Sequence, residues 1–235
     1  MEDFYNLRSK QYYSNQRARK YGKDAPQGEK YQVYHDTLSK KCSVSDSNHV
    51  LELGCGTGRY FFYLSGVARL IGIDISENML KAAKENLVRI PALVPVTEFV
   101  HSRIEDFDTD EKFDLIYSIG TIGEFCELNN RMLEKIISFL KPGGLLFFTV
   151  VDSESYVKRP IGIKKRIFRA AVKLLPLKLR VKVDGAGLFD YDFKDLFLSK
   201  TQLENILSSI KAPVSWEITK ARDNWHVHHI VNITR

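Results

Sequence analysis

Between Val50 and Gly58 the chain reads Val-Leu-Glu-Leu-Gly-Cys-Gly-Thr-Gly, and sixteen residues later a second apolar run, Leu70-Ile-Gly-Ile, ends on the lone carboxylate of Asp74. Few patterns constrain a fold as tightly. An apolar run that opens into a loop with glycine at every second position lets the backbone turn sharply and come close to a ligand, because no Cβ stands in the way. The next segment, about Thr57–Ser65, is compatible with a helix, whose first N–H groups would favour an anionic or oxygen-rich group. The carboxylate closing the second run is placed to accept hydrogen bonds from a ribose diol at the neighbouring strand end. These features together predict a nucleoside-binding βαβ unit.

The spacing narrows the choice of nucleoside. A dinucleotide fingerprint needs a third glycine where this chain has Arg59, and no Gly-Lys-Ser/Thr follows to make a P-loop. Glu52-Leu-Gly-Cys-Gly-Thr-Gly58 instead resembles motif I of the class I S-adenosylmethionine-dependent methyltransferases. The resemblance continues, in order, through Gly72-Ile-Asp-Ile-Ser-Glu-Asn-Met-Leu80, Phe113-Asp-Leu-Ile-Tyr-Ser118 and Leu140-Lys-Pro-Gly-Gly-Leu145, covering roughly 48–151. It implies an α/β, Rossmann-like doubly wound sheet, mostly parallel with a C-terminal antiparallel strand, and S-adenosyl-L-methionine as cofactor.

The wider pattern agrees with that fold. Strands are expected at His49–Leu53, Leu70–Ile73, Thr97–His101, Leu115–Ser118 and Leu145–Val151. Ser76 is a candidate N-cap for a helix bearing Met79, Leu80, Ala83 and Leu87, and a second helix carries Leu133, Ile136, Ile137 and Leu140 before Pro142-Gly-Gly. Ser199 and Gln202 form a capping-box pattern. Two β-type runs, Val214–Ala221 and Val227–Thr234, are joined by too few residues for a crossover helix and should pair antiparallel. One domain is therefore expected over 1–235: an N-terminal helical cap (1–41), a cofactor-binding core (48–152), a basic insertion or acceptor lid (153–198), and a C-terminal helix with a β-hairpin (199–235).

The resemblance assigns roles residue by residue. Gly54, Cys55, Gly56 and Gly58 run beside the methionyl and ribose portions, and Glu52 orders that loop or meets the amino group. Asp74 takes the ribose hydroxyls, and Ile75 and Met79 flank the adenine, although Met79 serves equally well as helix core. The adenine edge is expected at Ile104 through its backbone N–H and at Glu105 or Asp106, since Arg103 occupies the family's usual acid position. Ser118 ends the fourth strand at the ligand crevice, and Glu124 in the following loop either orients an acceptor or caps the next turn. Tyr12 and Tyr13, with Arg17 or Arg19, are candidates for a lid over the cofactor, Tyr13 for the acceptor. His226 and His228 share one strand face, which makes one of them a candidate general base for an O–H acceptor. Cys55 reads as a packing residue and no metal site is expected.

Ten Lys or Arg and no acid lie between Tyr156 and Val183, more than the whole chain's net charge of +6. From Ile163 to Leu175, Lys165, Arg166, Arg169 and Lys173 fall on one arc of a helix and Ile163, Ile167, Ala170, Ala171 and Leu174 on the opposite one, with Lys164 off pattern. An acceptor lid, an interfacial helix for an anionic membrane surface, and a nucleic-acid contact all fit that pattern. No Asn/Asp-Pro-Pro-Tyr/Phe follows the fourth strand, so DNA is not an expected partner. Three widely spaced cysteines and an N-terminus without an apolar stretch lead to the expectation of a cytoplasmic protein. The expected activity is methyl transfer to oxygen or nitrogen of a small-molecule acceptor, anionic or sugar- or lipid-linked. The alternative is a cofactor-binding module without transfer activity.

Overall fold

A computed structural model describes residues 24–155, 196–222 and 226–235, with isolated positions between 167 and 179. Tyr12, Tyr13, Arg17, Arg19 and most of the basic run from Tyr156 to Val183 lie outside the described residues. Apolar runs become seven strands: β1 (Asn48–Leu53), β2 (Val67–Asp74), β3 (Thr97–His101), β4 (Phe113–Ser118), β5 (Leu140–Val151), β6 (Ser215–Arg222) and β7 (Val227–Thr234). They form one sheet in the order β3-β2-β1-β4-β5-β7-β6. The first five are parallel, and β7 runs antiparallel to both β5 and β6. Strand order reverses between β1 and β4, the position at which open α/β sheets bind ligands beyond their carboxyl ends.

Four helices are described: α1 (Glu29–Cys42), α2 (Glu77–Leu87), α3 (Asn130–Ser138) and α4 (Lys200–Ser208). Caps set where three of them begin. Ser76 Oγ accepts from Met79 N, Asn129 Oδ1 accepts from Met132 N, and Ser199 with Gln202 makes both bonds of a capping box. Tyr34 and Leu38 of α1 and Leu80 and Leu87 of α2 pack with Leu70, Leu115, Tyr117, Phe147 and Ile230. Leu133, Ile136 and Ile137 of α3 and Leu203 and Leu207 of α4 pack on the other face with Leu51, Ile116, Phe148 and Val231. The alternation along β4, β5 and β7 assigns successive residues to opposite faces.

Three expectations need correction. The helix expected over Thr57–Ser65 is a single 3₁₀ turn, Phe61–Tyr63. The reason is reach. Eight residues separate Gly58 from Val67, and as an α-helix they would rise about 12 Å. The chain must return along a six-residue strand, roughly 20 Å at the usual rise per residue. Only a more extended path closes that distance. The second difference is that the α3 helix ends at Ser138. The third is that Leu140 already belongs to β5, which carries Lys141-Pro-Gly-Gly144 as an irregularity in its register with β4.

Asn48 ties three elements at the amino end of the sheet. Its buried Nδ2 donates to the carbonyls of Cys42 at the end of α1 (2.9 Å), Gly66 before β2 (2.9 Å) and Ser45. Truncation would strand buried carbonyls, each worth about 1–3 kcal/mol when left unsatisfied. Asn48→Ala should therefore lower the urea unfolding midpoint by an amount equivalent to roughly 2 kcal/mol at unchanged slope. An unaltered midpoint would show that this junction contributes nothing.

Candidate functional site

The glycine loop is pinned to the end of β2 by three consecutive amides. Gly54 N and Cys55 N both donate to Ile73 O at 2.8 Å, and Gly56 N donates to Asp74 Oδ2 at 2.8 Å. Asp74 Oδ1 accepts from Ser76 N at 2.8 Å, so one carboxylate joins the loop to the start of α2. Gly58 N closes a turn on Cys55 O at 2.8 Å. These four N–H groups are consumed within the protein, and the expected helix is reduced to a 3₁₀ turn. The glycines serve shape instead. Gly54 has φ +76° and its Thr121 neighbour occupies the space a Cβ would need, while Gly56 at φ +53° faces open space. A ligand can approach the backbone at Gly56 alone among these positions.

Asp74 and Glu52 are both buried acids in this region, with different partners. Glu52 accepts a hydrogen bond from Tyr117 Oη at 2.8 Å. Burial pushes its carboxyl well above the usual range, the tyrosine bond offsets part of that, and the Asp74 charge adds to it. Glu52 thus orders the sheet beneath the loop. Burial also raises Asp74, to about 6, against the lowering effect of the Ser76 and Gly56 amides. A carboxylate has about four acceptor positions. Two are taken by the Gly56 and Ser76 amides.

The remaining expected residues are distributed around this centre. Ile75 is half-buried, and its carbonyl sits 2.8 Å from His101 Nε2. Met79 and Ile104 are buried. Glu105 is exposed and faces the Arg103 guanidinium at 3.5 Å, so the cation in the family's acid position brings an acid with it. Ser118 Oγ donates to Leu53 O at 2.9 Å, locking β4 to β1 beside the loop. Cys55 is buried, and burial raises its thiol well above the ordinary value, which fits packing rather than nucleophilic work. Thr57 Oγ1 is buried without a hydrogen-bond partner among the described residues.

Beyond β4 the sequence reading missed a meeting. His228 Nδ1 lies 3.7 Å from Glu124 Oε1, and Lys30 Nζ of α1 lies 3.3 Å from His228 Nε2. An ammonium can only donate. Nε2 of a neutral His228 therefore accepts from Lys30, and Nδ1 carries the proton facing Glu124. His226 shares the His228 face, with ring centroids 6.3 Å apart, as the strand alternation requires. His229 points to the opposite face, fully buried, with Nε2 3.4 Å from Asp152. Burial lowers its pKa, so the imidazole there is neutral. The three histidines are thus two separate arrangements. Register could have suggested half of this, since His228 pairs with Val151 at the carboxyl end of β5, but nothing in the sequence brings Lys30 there.

Comparison with known proteins bears on the fold and on the class of activity. Residues 50–144 match the family model described as a methyltransferase domain. The chain is 24% identical over 216 residues to malonyl-(acyl-carrier protein) O-methyltransferase 2 of Ilyobacter polytropus, covering 88% of this chain and 73% of that one. It is 28% identical over 134 residues to the mitochondrial ubiquinone biosynthesis O-methyltransferase of Candida albicans, covering 55% of this chain and only 41% of the relative. In fold it resembles the plantazolicin methyltransferase BpumL solved with SAH, with a TM-score of 0.60 at 16% identity, over 88% of this chain and 84% of the other. Over residues 50–144 the chain carries the domain of the class I S-adenosylmethionine-dependent methyltransferases, with S-adenosylmethionine as its cofactor.

The raised Asp74 carboxyl has a consequence for stability. Its folded pKa, about 6, exceeds the ordinary 3.8, so the folded state binds the proton more tightly and stability is lost as pH rises through that window. The loss approaches about 3 kcal/mol once pH is well above 6. Asp74→Asn should therefore flatten the fall in unfolding free energy between pH 5 and 7.5 measured by denaturant titration. Parallel pH profiles for the two proteins would contradict this.

Proposed function

We propose that this chain transfers a methyl group from S-adenosylmethionine to an oxygen or nitrogen of a small-molecule acceptor, with an oxygen acceptor favoured. The observation that carries this reading is the His228–Glu124 pair at the carboxyl end of the sheet. When bound, the cofactor supplies an electrophilic methyl on a sulfonium that needs no protein acid to leave. The protein's remaining work is to hold the cofactor, align the acceptor and remove one proton.

In this reading Asp74 accepts the ribose hydroxyls through its two unused acceptor positions, with the backbone at Gly56 beside them. Gly54, Cys55 and Gly58 shape the loop, and Glu52 holds it from below through Tyr117. Ile75 and Met79 flank the adenine from the turn into α2. Ile104 and Glu105 meet its edge, and Ser118 fixes the floor between β1 and β4. The acceptor lies above β4, β5 and β7. An acceptor hydroxyl that takes the place of Lys30 on His228 Nε2 gives up its proton there. Glu124 then balances the imidazolium through Nδ1, the arrangement in which a carboxylate orients and supports a histidine base.

Incubation of the protein with methyl-labelled cofactor and a panel of phenols, carboxylates, hydroxy acids and amines should yield a labelled product. Tight cofactor binding without transfer to any class would instead favour a module that has lost turnover. With an acceptor in hand, His228→Gln and Glu124→Gln should lower turnover by about 10²–10⁴-fold and 10-fold or more respectively, with S-adenosylhomocysteine affinity unchanged. Equal turnover in wild type and His228→Gln would remove the histidine from the chemistry. At the cofactor end, Asp74→Ala should weaken S-adenosylhomocysteine by about 1.5–3 kcal/mol. Wild-type affinity should rise as pH passes upward through about 6, because a diol needs the ionised acceptor. A calorimetric affinity independent of pH between 5 and 8 would contradict the ribose role.

A further inference from the structure

His101 closes β3 directly beside Asp74, since the sheet register pairs the two residues. The backbone carries that pairing one step past the strands, with Ser102 N donating to Asp74 O at 3.2 Å. The His101 ring reaches one residue further. Its Nε2 lies 2.8 Å from Ile75 O, and its Nδ1 lies 3.4 Å from Glu77 Oε1 in the first turn of α2. A carbonyl oxygen only accepts, so Nε2 carries a proton and donates. An ionised carboxylate also only accepts. A ring set between two such acceptors is best matched as the imidazolium, which donates from both nitrogens.

This arrangement acts on the site in two ways. Ile75 is the residue that the cofactor reading sets against the adenine, and both its neighbours are already fixed. Asp74 is held by the Gly56 and Ser76 amides, and Ser76 caps α2. The His101 bond fastens the carbonyl between them from a different strand. The ring charge is the second effect. Burial pushes the Asp74 carboxyl up to about 6, and the His101 charge acts in the opposite direction, as the Ser76 and Gly56 amides do. The other titratable groups that face Asp74 are Glu52 from β1 and Cys55 from the glycine loop, and burial drives both toward their neutral forms. Facing His101 are Asp74 from β2 and Glu77 from α2, while Arg103, two residues on, faces Glu105 and Asp106 at 3.5 and 3.8 Å. The His101 side chain is 41% exposed, so water screens part of its charge and the effect on Asp74 is modest.

We infer that His101 is a positioning residue of the cofactor site, holding the Ile75 turn through Nε2 and keeping a positive charge beside the carboxylate that accepts the ribose. The inference rests on the cofactor reading above and adds to it a residue that touches no part of the ligand.

Calorimetric titration of the full chain with S-adenosylhomocysteine between pH 5 and 8 tests this on wild type, His101→Gln and His101→Leu. Glutamine keeps a donor for Ile75 O and carries no charge; leucine supplies neither. His101→Gln should bind about two- to fivefold more weakly than wild type at pH 6 and equally at pH 8, because Asp74 ionises at a higher pH without the neighbouring cation. His101→Leu should remain about threefold or more weaker at pH 8, where the carboxylate is ionised in all three proteins and only the lost Ile75 bond counts. A His101→Gln profile that superimposes on wild type, or a loss of equal size at pH 6 and pH 8, overturns the inference. So does wild-type affinity of His101→Leu at pH 8. A wild-type protein that fails to bind, or binds independently of pH, contradicts the cofactor reading instead. Circular dichroism melts check the fold of each variant, and if His101→Leu melts early the pH profile of His101→Gln decides alone.

Discussion

Three successive amide N–H groups, those of Gly54, Cys55 and Gly56, are held by the end of one strand, and Asp74 supplies the last of the three bonds. The rest of the site depends on this fastening. Its geometry requires positive φ in the loop, which only glycine adopts without strain. It also requires that β1 and β2 be neighbours in parallel register, Glu52 opposite Gly72 and Leu53 opposite Ile73. Because Asp74 also accepts from Ser76 N, one carboxylate joins the loop, the end of β2 and the start of α2. The carboxylate that would read a ribose is therefore itself a structural fastener. Its burial makes the ionised form costly to the fold, as expected where stability is traded for a prepared binding group.

This fastening explains how a site can stand on an abbreviated crossover. With a 3₁₀ turn in place of a first helix, no long helix dipole is directed at the ligand. Positioning passes to side chains: Tyr117 beneath Glu52, Asn86 Nδ2 donating to Thr57 O at 2.8 Å, and Thr121 against Gly54. Further along the sheet, the antiparallel β7 inserted between β5 and β6 brings His228 to the carboxyl end of β5, where Glu124 and Lys30 meet it. One sheet therefore presents the Asp74 carboxylate at the carboxyl end of β2 and the His228 imidazole beside the carboxyl end of β5.

The sequence made much of this legible, and unevenly so. The strands, the Ser76 and Ser199 caps and the antiparallel ending follow from period, capping chemistry and linker length, which are local quantities. The glycine loop and Asp74 were legible because their spacing is fixed by one βαβ unit. The Thr57–Ser65 helix was misread because its pattern permits a helix, while the distance back along β1 forbids one. Glu124 and His228 are 104 residues apart and Lys30 and His228 are 198 apart, so only the strand order could bring them together. His101 stood out in the sequence only as the last residue of the third strand. Its partners, Ile75 and Glu77, belong to the turn into α2 and its first residue.

The most direct test of this account is a crystal structure of the full chain with S-adenosylhomocysteine. The account expects both ribose hydroxyls within about 3 Å of the Asp74 carboxylate oxygens, with the Gly56 amide still bonded to Oδ2. An adenosine bound elsewhere, or a loop that releases Asp74 to admit it, would contradict the account.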